Sequence, residues 1–305
     1  MSSDSQPPQD RPGSQPPPQA VANLPVIETV VAGFAGTFRH PLLLGQAAAG
    51  ALIILGISFF LPLVWLNGLT VMLALFAPLV AYCHFGVNWY RIVLLGPEGL
   101  LRPTLRWDAR HWRFLAYAVI FNFAMLAINL TVAAVLPLPL IAVIFILFYL
   151  AARFSFVFPA VAVGESYSPA FAWRHTAGQG LRLTAALLLA AIPLYLVMSV
   201  IVGQAFFILI DASVMGMLAE QLQPGGGLDM TDPAATQALA DALAQLPPIA
   251  VLSVKLIFDL LLMAVLAVLI AIVALAFRTC AGWVPAAPGA IAKVFGDDDS
   301  DDSGP

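Results

Sequence analysis

The chain of 305 residues is 61% hydrophobic and only 10% charged, with a mean hydropathy of +0.93. Too few polar groups remain to cover a water-soluble globule of this size, which points away from a soluble enzyme and toward an integral membrane protein. The formal charge of −4 says little about the membrane part, because Asp297, Asp298, Asp299, Asp301 and Asp302 supply five of the seventeen acids.

Residues 1–24 hold Pro7, Pro8, Pro12, Pro16, Pro17 and Pro18 among Ser, Gln and Asp. Such a segment cannot bury enough apolar surface to repay ordering, so a disordered tail is expected. No cleavable signal is expected, since the first long apolar run begins only near Leu42 and no basic start precedes an early apolar core. The membrane domain is read as residues 25–285. It opens between Pro25 and His40 on VIETVVAGFAGTFRH, apolar at helical spacing but too short to span, which predicts an interfacial helix on the cytoplasmic leaflet. A first spanning helix is predicted from about Leu42 to Leu66. Asn67-Gly68 turns the chain into a second, from about Leu69 to Gly86, with a kink at Pro78.

Asn88–Arg113, NWYRIVLLGPEGLLRPTLRWDARHWR, follows and is the one basic cluster of the sequence. Arg91, Arg102, Arg106, Arg110 and Arg113 are five of the thirteen basic residues. Short loops rich in Lys and Arg are retained in the cytoplasm, so this stretch orients everything else. Its arginines are interleaved with Trp89, Trp107 and Trp112, a combination that suits anionic lipid headgroups better than nucleic acid. The third helix is predicted from about Phe114 to Leu136, and Pro137-Leu138-Pro139 turns the chain outside into a fourth, Leu140 to Val163.

A second cytoplasmic segment, Gly164–Arg182, carries Arg174, His175 and Arg182. It leads to a fifth helix, Leu183 to Ile210, interrupted by Pro193. The loop 211–248 contains Asp211, Glu220, Asp229, Asp232 and Asp241 but no Lys or Arg, which places it in the periplasm. Within it, Thr231-Asp232-Pro233 before an Ala/Leu/Gln run to Leu246 predicts a short capped helix, and Gly225-Gly226-Gly227 a flexible linker. The sixth helix runs from about Ile249 to Phe277, and residues 286–305 form an acidic tail expected to be disordered. Of the thirteen basic residues only Lys255 falls at an outer end. The expected fold is therefore all-α: six transmembrane helices as three hairpins with interfacial helices, both termini cytoplasmic, in a bacterial inner membrane.

Three of the four histidines follow an arginine, as Arg39-His40, Arg110-His111 and Arg174-His175, each before an odd-numbered span and beside Phe38, Trp112 or Trp173. This pattern predicts a threefold internal repeat of interfacial helix and hairpin. The pairs read as headgroup anchors. Convergence of the three imidazoles on a metal or haem is the alternative, but no Cys, Asp or Glu stands at ligand spacing beside them, and no cofactor is expected.

Among polar residues at membrane depth, Arg153 is the deepest and is either a snorkelling side chain or an intramembrane polar site. Lys255 and Asp259, four apart, share a face as an ion pair. Asn122 and Asn129, seven apart, are expected to hydrogen-bond between helices. Small residues at Gly45, Ala47, Ala49 and Ala51 favour close helix contact. Cys83 and Cys280 read as reduced packing residues. No HExxH, GxSxG, P-loop or GxGxxG is present, so no enzyme is expected.

Trp89–Gly96, then Arg153-Phe154-Ser155 leading to Phe158–Ala162, then Ala172-Trp173 and Gly178-Gln179-Gly180, resemble six-helix inner-membrane proteins of proteobacteria. More loosely, they resemble YciC-like proteins and the membrane domain of some glycerophosphodiester phosphodiesterases. The resemblance covers about residues 25–285. No catalytic phosphodiesterase domain is present, so that activity does not carry over, and no functional residue transfers.

The function expected is a non-catalytic scaffold, assembly or regulatory partner that contacts anionic lipid or a protein partner in or on the membrane through the arginine stretch. The alternative is a transporter of a small or lipid-like solute. A transporter needs a polar cavity reaching Arg153, whereas a scaffold needs a packed interior there and an apolar groove outside.

Overall fold

The computed structural model describes residues 23–65, 67–97, 107–135, 140–165, 168–209, 237 and 247–284. The two tails, the loop 211–246 apart from Gln237, with the capped helix predicted for it, the turn predicted at Pro137–Pro139 and the positions of Arg102 and Arg106 lie outside the described residues. Among those described every regular element is a helix: α1 (Val26–Phe38), α2 (Pro41–Val64), α3 (Gly68–Leu95), α4 (Ala109–Val135), α5 (Leu140–Phe154), α6 (Val157–Val163), α7 (Pro169–His175), α8 (Gly180–Leu209) and α9 (Pro248–Ala281). Among the described residues six stretches are long and apolar enough to cross a membrane: Pro41–Leu61, Gly68–Leu95, Ala109–Ile128, Ala142–Val163, Gly180–Phe206 and Ile249–Ala281.

The α2–α3 turn is built by local polar chemistry. Asn67 Oδ1 accepts from the Thr70 amide at 2.9 Å, and the Thr70 hydroxyl accepts from the Asn67 amide at 3.0 Å. This capping box satisfies two amides that the first turn of α3 would otherwise leave open. From there α2 and α3 pack extensively, with Ala47 and Ala51 fully buried. Gly45 has open space beside it, so the small-residue contact is narrower than expected.

The fifth predicted span, expected to be interrupted at Pro193, runs unbroken as α8, and two others change shape. α3 does not stop at Gly86 but runs nine residues further, to Leu95, ending at Gly96 with φ 80°. Between Gly86 and Gly96-Pro97 no proline or glycine interrupts the helix, and the extension buries Trp89, Ile92, Val93 and Leu94 completely. Arg91 therefore stands on a helix and not in a loop. The fourth predicted helix breaks at Ser155-Phe156 into α5 and α6. Pro159 is the cause, since it lacks an N–H and its ring clashes with the carbonyl four residues earlier, that of Ser155.

α3 and α9 run parallel. Tyr82 meets Asp259 and Trp89 meets the carbonyl of Ala267, pairs separated by 177 and 178 residues, a nearly constant register. α1 is docked on the bundle and does not lie free: Thr29, Val30, Gly33, Gly36 and Thr37 are buried, mostly against α9 and α8. A Cβ at Gly33 would lie 2.6 Å from Ile272, so only glycine permits this approach. Thr29 and Thr37 donate to the carbonyls of Pro25 and Gly33 in their own helix, which leaves a satisfied small-residue face to pack. Ile27, Val31 and Phe38 face outward.

Candidate functional site

The arginine stretch is two helix ends joined by a connection. On α3, Arg91 Nη1 donates to the carbonyl of Ala162 at 3.2 Å, near the C-terminus of α6. That helix ends at Gly164 with φ 90°, the left-handed conformation that favours glycine. The Arg110 guanidinium lies over this glycine, where an added Cβ would stand 3.4 Å from Nε. Two arginines thus converge where open carbonyls and the helix dipole favour positive charge. Arg113, one turn further along α4, is exposed.

Asp108 starts α4. Its Oδ1 accepts from the amides of Arg110 (2.9 Å) and His111 (3.2 Å) and lies 2.8 Å from His111 Nδ1. Partial burial pushes the Asp108 carboxyl up, but the hydrogen bonds from His111 and Arg110 and the charge of His111 outweigh it and hold the carboxyl below its usual range. His111 stacks in turn on His84 and packs at a tilt against Trp107, each at 5.0 Å between ring centroids. His84 and His111 are 2% and 5% exposed. Asn88 Nδ2 meets His84 Nε2 at 3.2 Å, while a Cβ at Gly50 of α2 would come 2.4 Å from that nitrogen. His84 therefore occupies a notch that only a glycine leaves in α2. His84 Nδ1, His111 Nε2 and Trp107 Nε1 are buried with no hydrogen-bond partner among the described residues.

The pairing among histidines differs from the sequence pattern. His111 joins His84, the one histidine without a preceding arginine, while His175 stacks on Phe171 at 3.6 Å. Among the described residues no three of His, Cys, Asp and Glu are placed to hold a metal ion.

Arg153 is 6% exposed and acts as a clamp. Its Nη1 donates to the carbonyl of Thr176 at 2.9 Å and its Nη2 to that of Trp173 at 2.8 Å, while the guanidinium lies 3.9 Å from the centre of the Trp173 ring. The Thr176 hydroxyl donates back to the carbonyl of Arg153 at 3.2 Å. The end of α5 is thus tied to the end of α7, with the cation at the C-terminal carbonyls of that helix. Gly180 makes the passage possible, since a Cβ there would meet Arg153 Cδ at 2.6 Å. The neighbouring Gln179 takes the Leu24 amide at 3.2 Å and donates to Asn23, fastening the chain just before α1.

Lys255 and Asp259 pair as expected, and the tyrosine hydroxyl of Tyr82 adds a second partner, donating to Asp259 Oδ1 at 2.7 Å. Asp259 is 5% exposed. Asn122 corrects an expectation: its amide donates to Ala118 in its own helix at 2.8 Å and not across to a neighbour, because it sits on an exposed face. The Asn129 side chain lies outside the described residues. Cys83 and Cys280 are both buried and free.

Six apolar helices of spanning length, tied together by buried arginine, histidine and aspartate, define a multi-pass helical membrane protein. Comparison with protein-family models, with curated proteins and with solved structures gave no match, so the site rests on its own geometry.

Proposed function

We propose that this chain is a non-catalytic scaffold, assembly or regulatory partner of the bacterial inner membrane, built from three hairpins with both termini cytoplasmic. Its basic end meets anionic lipid or a protein partner. The observation that carries this reading is the closure of Arg153. The deepest basic group of the spans is engaged by two carbonyls and an indole ring, and the groove beside Phe154 is apolar. That arrangement supports a packed interior with an apolar groove outside it, and favours the scaffold reading over transport of a solute past Arg153.

Arg91 and Arg110 already serve α6, so the contact falls to the exposed Arg113 and to Arg102 and Arg106. The test is a triple variant, Arg102→Gln, Arg106→Gln and Arg113→Gln, purified in lipid-preserving detergent. Native mass spectrometry would show loss of co-purifying anionic lipid or protein with the thermal midpoint kept. Unchanged retention would reduce the stretch to a topology signal.

A further inference from the structure

We propose that the groove between α4 and the α5–α6 break seats one acyl chain of an anionic phospholipid whose headgroup is held by Arg113. The groove has a volume of about 180 Å³ and runs along α4 from Tyr117 past Ala124 to Ile128, closed below by Phe154, Phe158 and Pro169. It exists because the chain breaks at Ser155-Phe156. α4 packs on α3 and α6 but touches α5 less, leaving a wedge. No charged side chain lines it.

Its length and its mouth select the occupant. Tyr117 and Ile128 are eleven residues apart, about 16 Å of helix rise. The hydrocarbon core is about 30 Å thick, so the groove is one leaflet deep. A partner helix crossing the membrane would need a seat of twice that length, with small residues along it, whereas bulky Tyr117 and Phe158 flank this one. Arg113 precedes Tyr117 by four residues, hence shares its face of α4, and is exposed at the basic end of the groove. A chain lying in the groove therefore brings its phosphate to an exposed guanidinium. The assignment deepens the reading proposed above and rests on it for the headgroup only.

The experiment uses the full chain in phosphatidylcholine nanodiscs doped with phosphatidylglycerol that carries a diazirine on one acyl chain. Photolabelling is expected between Tyr117 and Ile128. Ala124→Trp, which fills the groove from an exposed position, should lower it at least about tenfold, the loss of two or more buried methylenes. Ala124→Leu, a milder filling, should lower it in the same direction and guards against misfolding of the first. Arg113→Gln should lower it about fivefold, the contribution of one arginine near anionic lipid. A diazirine phosphatidylcholine should label as weakly as the Arg113→Gln variant. Labelling indifferent to both Ala124 variants overturns the groove while leaving the basic-end reading standing. Labelling that falls with Ala124→Trp but not with Arg113→Gln overturns the anionic headgroup and counts against that reading. Cross-linking of the groove to a second protein chain overturns the lipid assignment.

Discussion

Along α3 the two ends of the molecule differ. Phe85, Val87, Trp89 and Ile92 are at most 1% exposed, whereas Leu69, Met72, Leu75 and Phe76 are more than half exposed. α9 repeats the contrast, with Ala267, Ala271, Ala274 and Phe277 fully buried but Ile249 and Val251 open. At the basic end helices approach closely through alanine and glycine and are cross-linked by polar side chains, as in a soluble core. At the other end the helices present apolar faces that a bilayer solvates as well as a neighbouring helix would. Tertiary specificity is thus concentrated where the arginines and histidines are, and the far end depends on the lipid.

The sharpest way to break this contrast is at Arg153. Arg153→Met removes two charge-assisted hydrogen bonds, at about 1.5 to 3 kcal/mol each, so a loss of about 3 kcal/mol or more is expected. Denaturant titration in detergent would measure it, together with new protease sensitivity around α7. Arg153→Lys should not rescue, because a lysine cannot present the planar fork that reaches both carbonyls.

Gly50→Ala comes next. The added methyl collides with His84 and should cost about 1 to 3 kcal/mol, offset by up to about 1 kcal/mol of helix propensity. In the double variant with His84→Ala the collision disappears, so the double variant should lose clearly less stability than the two single losses added together. Additive effects would mean that α2 shifts freely.

Asp108 sharpens the contrast through pH. Its folded carboxyl titrates below the usual range, so the stability it adds is present above the unfolded value of about 4 and is lost as pH falls through the folded one. Unfolding followed from pH 7 to pH 3 should therefore show a smaller acid loss in Asp108→Asn than in the parent. Equal slopes would remove the carboxylate from the account. The smallest effect is expected at the far end, where Phe76→Leu on an exposed face should change stability in a bilayer by less than about 0.5 kcal/mol.

The spans were legible because hydropathy over about 20 residues reports membrane crossing whatever the tertiary packing. Helix ends were less so. Trp89 to Leu95 is apolar because it is buried in protein, and composition alone does not separate that from a lipid-facing run or a loop at the headgroups. Pro159 lies inside the fourth predicted span, and the backbone it cannot continue places the break four residues earlier, at Ser155-Phe156. The clamp at Arg153 was illegible for a different reason, since its partners are backbone carbonyls 20 and 23 residues away, which any residue type provides. The arginine-histidine pattern drew attention to His111 but not to His84, because stacking across 27 residues leaves no periodicity in the sequence.

The parallel register of α3 and α9 bears on how the chain is made. Asp259 is synthesised 177 residues after Tyr82. At bacterial or eukaryotic elongation speeds that is a delay on the order of ten to thirty seconds. Throughout it the Tyr82 hydroxyl and the Trp89 indole N–H have no final acceptor, so α3 must be tolerated as an unfinished helix by whatever machinery inserts it. Among the described helices α9 follows all the others in the chain, so until it is inserted two hydrogen-bond donors of α3 stand in the membrane without the acceptors they hold in the finished fold.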